Sequence, residues 1–303
     1  MKQFFTLFAL LTCLACMDAK AQQDAQYTQY MFNGLALNPA YAGTRDAISA
    51  TAIYRHQWAG VVGAPRTFSF SVHSPLQEQA GLGLFVESDR IGIHNRLSLF
   101  ASYAYRIVVG EGQLSIGLQG GLLNYQSDWN NLPNVADPGD VVLANPESKL
   151  LPNFGLGIHY YTERFYVGAS IPHMLDNELS EVSLQALQSR HYFITSGALI
   201  DLSTTLKVKP SIMLKAVSGS PLAADLNLSF LIRDVLWLGA GYRFGDALTF
   251  LGSFQFNNGL RLGYAYDLTR TDLQPTGGTH EVMLGFDFIK EGDNPVLNPR
   301  FFW

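Results

Sequence analysis

Arg261-Leu262-Gly263-Tyr264-Ala265-Tyr266-Asp267-Leu268 decides the fold. Successive side chains on a strand point to opposite faces, so Leu262, Tyr264, Tyr266 and Leu268 share one face. Arg261, Gly263, Ala265 and Asp267 share the other. One face is apolar and aromatic. The other is small and polar, with isolated charges. The same period returns in residues 96–107, where Leu97, Leu99, Ala101, Tyr103, Tyr105 and Ile107 oppose Arg96, Ser98, Phe100, Ser102, Ala104 and Arg106. It returns again where Phe68, Phe70 and Val72 alternate with Ser69, Ser71 and His73, and where Val282, Leu284, Phe286 and Phe288 alternate with Glu281, Met283, Gly285 and Asp287.

Working outward, such runs predict about 14 strands of the length a tilted membrane strand needs, roughly 10 residues. They cover 47–55, 67–74, 80–88, 95–108, 112–126, 152–161, 165–172, 190–201, 205–217, 222–232, 235–244, 247–256, 260–268 and 279–289. Connections after even-numbered strands are short. Several after odd-numbered strands are long, notably 56–66, 127–151, 173–189 and 269–278. Bacterial outer-membrane barrels have this asymmetry, with short periplasmic turns and longer outer loops. Residues 127–151 and 173–189 are therefore expected outside, the first mixing Trp129, Leu132 and Val135 with polar residues.

A soluble β-sandwich also alternates, but its polar face meets bulk water and is rich in Lys, Glu and Asp. Here charged residues are only 15% of the chain, against roughly 25% in a soluble domain. The reading is all-β, a transmembrane antiparallel up-and-down barrel in the outer membrane. A charge facing lipid at the midplane costs about 2–4 kcal/mol for Arg or Lys. Arg96, Arg106, Lys207, Lys209, Lys215, Arg233, Arg243, Arg261, Glu87, Asp225, Asp267, Glu281 and Asp287 are therefore placed inward. They pair within a packed interior or line an anion-attracting channel.

Lys2, the apolar run 4–14 and Ala19-Lys20-Ala21 predict a cleaved signal peptide over 1–21. A lipoprotein site at Cys16 is the weaker alternative. Both cysteines, Cys13 and Cys16, fall in this segment, so the mature chain is expected to hold no disulfide and no thiolate metal site. No cofactor or metal site is expected, because the seven histidines form no ligand pattern and no phosphate-binding or dinucleotide motif appears. The net charge of −5 offers no footprint for nucleic acid. A Ser–His pair of an outer-membrane lipid hydrolase cannot be recognised without a local motif.

Two regions break the period: an N-terminal periplasmic or luminal segment, 22–46, and a C-terminal periplasmic tail, 290–303, flanking the barrel at 47–289. Both are too aromatic for solvated linkers, since a disordered segment is normally polar. Tyr30, Phe32, Tyr41, Arg300, Phe301 and Phe302 are the candidate partner-binding residues, because aromatic side chains and Arg dominate interaction hot spots. The other expectation for these segments is packing into the barrel's periplasmic mouth.

Gln29-Tyr30-Met31-Phe32-Asn33 followed by Asn38-Pro39-Ala40-Tyr41-Ala42-Gly43 resembles the N-terminal signature of the PorP/SprF family, outer-membrane proteins of the type IX secretion system of Bacteroidetes. Arg55, Gln57-Trp58, Gly60, Gly63-Ala64-Pro65 and Thr67 resemble its next block. Asp225-Leu226-Asn227, Trp237, Gly239, Tyr242-Arg243, Gly263-Tyr264-Ala265-Tyr266-Asp267, His280-Glu281 and the ending Pro299-Arg300-Phe301-Phe302 continue the likeness. The resemblance implies a non-enzymatic integral barrel. Its partners would be periplasmic ring or motor proteins of the secretion machine, or a large adhesin delivered to or held at the surface in gliding motility. Outer-membrane lipid would surround it. A small-solute porin or transporter is the rival class.

Overall fold

The computed structural model describes residues 25–128, 147–178, 187–218, 220–271 and 276–288. The expected signal peptide and tail, with Arg300, Phe301 and Phe302, lie outside the described residues, as do Trp129, Leu132 and Val135.

The described residues form a closed antiparallel barrel of 14 strands. These are β1 (Ile48–His56), β2 (Arg66–Gln77), β3 (Ala80–Ile91), β4 (His94–Val109), β5 (Gly112–Ser127), β6 (Glu147–Tyr161) and β7 (Phe165–Ile171). Then come β8 (His191–Ala198, continued by Ile200–Asp201), β9 (Leu206–Val217), β10 (Ala223–Ile232), β11 (Leu236–Arg243), β12 (Ala247–Gln255), β13 (Leu260–Thr269) and β14 (Thr279–Phe288). Each strand pairs with its sequence neighbours, and β1 pairs with β14 from Ile48↔Phe288 to His56↔His280. That seam closes the sheet and leaves no edge, which a lipid solvent requires.

The alternation holds in three dimensions. In β13, Arg261, Gly263, Ala265 and Asp267 are buried, while Leu262, Tyr264 and Leu268 are exposed. In β4, Leu97, Leu99, Tyr103, Tyr105 and Ile107 face out, and Ser98, Phe100, Ser102, Ala104 and Arg106 face in. Aromatic side chains collect at both rims of the outer wall: Tyr54, Tyr192, Tyr242 and Phe244 near the long connections, and Phe165, Phe254, Phe256 and Phe288 near the short turns. Such girdles sit at the two membrane interfaces.

Three details differ from the sequence reading. β6 starts at Glu147, because Glu147 to Lys149 continue the register opposite Ser127 to Tyr125; their polarity made this extension read as loop. Arg233 faces solvent, not the lumen. It and Asp234 both have positive φ, 52 and 56°, and they are the two central residues of the turn that closes with the Val235 amide donating to the Ile232 carbonyl between β10 and β11. A turn with both central residues left-handed follows the twist of the strands it joins. Residues 172–175 fold inward over the lumen instead of looping free: Asn153, fully buried, accepts from the amides of Met174 and Leu175 and donates to the Leu175 carbonyl. Gln119 donates to the Pro172 carbonyl at 2.8 Å.

The connection 57–65 carries Val62, 94% exposed, at the end with the long connections. On the outer-loop reading, Val62→Cys should react with an impermeant maleimide on intact cells. Labelling only after lysis would invert the orientation.

Candidate functional site

The lumen is filled by the chain's own N-terminal segment. Residues 25–46 run inside the barrel as three isolated 3-10 turns, Tyr30–Phe32, Gly34–Ala36 and Pro39–Tyr41. Short side chains and breakers explain this form. Asn33 and Asn38 separate the turns, and Asn38 caps the third by accepting from the Ala40 amide at 2.9 Å, with Pro39 pre-set at its first position. The segment begins beside the long connections, where Tyr27 and Thr28 meet residues near the ends of β3, β13 and β14. It ends at the short turns, where Gly43 lies against Ser74 and Gly81.

The inward glycines of the wall make this passage possible. A Cβ at Gly117 would strike the Ala40 main chain, one at Gly157 the Asn38 side chain, one at Gly81 the Ala42 carbonyl, and one at Gly83 the Leu35 side chain. Read from sequence, these glycines were part of a small polar face. Their spatial meaning is a wall thinned where a second layer of main chain lies on it.

The segment brings its own apolar core. Tyr27, Tyr30, Met31, Phe32, Leu37 and Tyr41 pack with Ile53, Tyr166, Phe193, Met213, Trp237 and Met283 from the wall. The Phe32 and Trp237 rings meet edge-on at 6.3 Å. Tyr41 sits between His73 and His159, at 5.8 and 5.5 Å. Burial of such rings, each about 150–250 Å², is what orders a segment with no ladder of its own.

Charge anchors both ends. Near the long connections, Arg55 spans Asp267 (2.9 Å) and Glu281 (3.0 Å), and also donates to Thr28 Oγ1. Arg243 pairs with Asp225 at 3.0 Å and Asp267 at 3.4 Å. Tyr27 donates to Glu87, which Arg96 holds at 2.9 Å. Near the short turns, Asp287 receives Arg261 at 3.2 Å, Arg45 at 3.7 Å and the Ser49 hydroxyl at 2.6 Å. Arg106 clamps the exit, donating to the Gly43 carbonyl and pairing with Asp46 at 3.0 Å. Among the described residues, seven buried Lys and Arg side chains accompany six buried Asp and Glu. Opposite charges this balanced and this closely paired favour the packed interior over an anion-attracting lining.

Tyr30, Phe32 and Tyr41, expected to offer a partner surface, are 4, 5 and 6% exposed. They are interior here, so direct partner contact would require the segment to leave the lumen. The Tyr30 hydroxyl accepts from Asn227 at 3.0 Å. Arg45, Arg55, Thr28, Gln29 and Asn38 were not singled out as site residues. The available signal was the pairing of aromatic, breaker-rich residues 25–46 with an unusual number of inward glycines. A Ser–His pair does exist: Ser127 Oγ lies 2.9 Å from His94 Nδ1. The Tyr125 hydroxyl approaches the same nitrogen at 2.7 Å, and Ser127 is 1% exposed. Among the described residues, no group of three His, Cys, Asp or Glu side chains is placed to hold a metal ion.

A family model described as "Type IX secretion system membrane protein PorP/SprF" matches residues 19–286. No protein of curated function matches the sequence. Among solved structures, the chain is similar to the toluene transporter TbuX of Ralstonia pickettii, with 11% identity and a TM-score of 0.48, covering 84% of this chain and 93% of that one. It is also similar to a FadL homologue of Pseudomonas aeruginosa, with 11% identity and a TM-score of 0.47, covering 84% and 94%.

Proposed function

The chain belongs to the PorP/SprF family of type IX secretion system membrane proteins, and on that premise we propose that it acts as a closed scaffold that holds protein partners at the outer membrane. It is an integral outer-membrane barrel of the secretion system, and its family and fold indicate a non-enzymatic role in which it works with other secretion components. The finer reading is that its partners are periplasmic ring or motor proteins, or a large adhesin delivered to or anchored at the cell surface.

The observation that carries the scaffold reading is the filled lumen. A small-solute porin needs a continuous polar path. Here residues 25–46 cross the lumen with an apolar core, and residues 172–175 cover it near the long connections. Affinity purification from native membranes tests the proposal. Secretion components or a large adhesin should co-purify, and the purified chain should show no steady conductance in planar bilayers. Porin-like conductance with no protein partner would favour the transporter class instead.

The tail supplies a separate expectation. Arg300, Phe301 and Phe302 remain the proposed partner contacts, on composition alone: three consecutive aromatics after Arg suit a docked end. Removing residues 299–303 should leave a heat-modifiable barrel in the membrane while co-purification of the partner is lost. Loss of membrane insertion would make the tail an assembly element instead.

A further inference from the structure

The wall grips the N-terminal segment by its main chain as well as by its side chains. The Glu281 carboxylate accepts from the successive amides of Thr28 (2.9 Å) and Gln29 (2.7 Å). Ser170 donates to the Leu37 carbonyl at 2.7 Å and Ser115 to the Ala40 carbonyl at 2.6 Å. Arg106 donates to the Gly43 carbonyl at 2.8 Å, and the Gly43 amide donates to His73 Nδ1 at 3.2 Å. Five positions spread from one mouth to the other are thus held through groups that every polypeptide carries.

The barrel does not need this occupant to close. Every strand finds both neighbours in the ladder, and residues 25–46 add no strand to it. Among the described residues the segment is joined to the wall at Asp46, an exposed residue with φ 53° that leads into β1. Its other described end, Ala25, lies toward the long connections. Two of its polar atoms, Gln29 Oε1 and Asn33 Nδ2, find no protein partner in the seat. Side chains are selected along the same path: Tyr27 and Thr28 donate to Glu87 and Asp267, Asn38 donates to the Ile158 carbonyl, Arg45 pairs with Asp287, Phe32 meets the edge of Trp237, and Tyr41 fills the His73–His159 gap.

We infer that the lumen is a peptide site, reading main chain and side chains together, whose resident occupant is the chain's own N-terminal segment, and that it accepts an aromatic-bearing polypeptide segment of a partner, folded in the same short turns, in the same seat. The incoming segment runs in the resident's direction, with its N-terminal end toward the long connections, because the seats for Tyr30, Phe32 and Tyr41 are met in that order. This goes beyond the scaffold reading, which requires no exchange.

The test uses the full chain with a site-specific protease sequence inserted between Asp46 and Ala47. The protein is folded in detergent first and cleaved afterwards, so folding is not at stake, and retention of the heat-modifiable band confirms an intact barrel. The probe is a fluorescent synthetic peptide of residues 25–46. It should enter the cleaved barrel, compete with its unlabelled form, and be excluded from the uncleaved one. The same peptide N-methylated at Thr28 and Gln29 keeps every side chain but loses the two donors to Glu281. It should bind at least about tenfold more weakly, the loss expected when hydrogen bonds to a buried charge are removed. An intact cleaved barrel that takes up no peptide would make the segment a permanent core and overturn the inference. Equal binding of the N-methylated peptide would overturn the main-chain reading. Neither result bears on co-purification from native membranes.

Discussion

Replacing Gly117 with Val should unseat the N-terminal segment while the barrel stays in the membrane. An added Cβ at Gly117 collides with the main chain of Pro39 and Ala40, not with the far end of a flexible side chain. Neither side can yield easily. Gly117 is held in the β4–β5–β6 ladder opposite Ala104 and Gly157, and Pro39 to Tyr41 form the best-capped turn of the segment. Overpacking of this kind costs about 1–3 kcal/mol when side chains can rearrange, and more when backbone must move. The strands have a complete ladder of their own, so the weaker partner gives way. The variant should keep its heat-modifiable migration, expose residues 25–46 to protease, and conduct in planar bilayers. Gly120→Ala is the control. Its Cβ meets only the side chain of Phe154, at 3.4 Å, and it should behave as the parent does. A Gly117→Val barrel that stays protected and non-conducting would mean that the wall adapts to the segment.

Arg55→Ala should cost about 3–5 kcal/mol of barrel stability, the range for breaking a buried ion pair from one side. Arg55 is 2% exposed and bridges two carboxylates from different strands. Without it, Asp267 keeps Arg243 at 3.4 Å, and Glu281 keeps only the amides of Thr28 and Gln29. Buried negative charge is then left short of compensation, which is the costly part. The urea midpoint of the heat-modifiable band should fall accordingly. Arg55→Lys should lie between, because one ammonium keeps the charge but cannot reproduce the planar fork that reaches both carboxylates. Removing the bridge from both sides, with Arg55→Met and Glu281→Gln together, should cost less than Arg55→Ala alone. Equal loss in the single and double variants would assign the cost to packing around Arg55 and not to its charge.

The two effects are separable because they act on different layers. Gly117 is a contact between wall and occupant, whereas Arg55 ties β1 to β13 and β14 and touches the occupant at Thr28. Stability loss without opening in one, and opening without much stability loss in the other, would show that the lumen's contents and the barrel's integrity are distinct properties.

The strands were legible because their cause is local. The pleat sends neighbouring side chains to opposite faces, and a lipid solvent on one side forces the apolar set outward. Arg261 to Leu268 and residues 96–107 therefore announce their faces within a single strand. The inward direction of Glu87, Asp225, Asp267, Glu281 and Asp287 follows from the same period. Arg233 escaped it, because a tight turn suspends the alternation. Glu147 to Lys149 escaped it because strand that rises beyond the membrane no longer needs an apolar face.

The sequence by itself determined a closed membrane sheet, its strand order and the faces of most strands, because each of those follows from neighbours in the chain. Only the tertiary structure decided what fills the lumen. The contacts that decide it join Thr28 to Glu281, Tyr30 to Asn227 and Ala40 to Ser115, and no periodicity couples positions so far apart. The same inward glycines suit an open polar lumen or a wall thinned for a second layer of main chain. What distinguishes the two is whether another backbone lies within reach of the missing Cβ, and that is a property of the folded barrel alone.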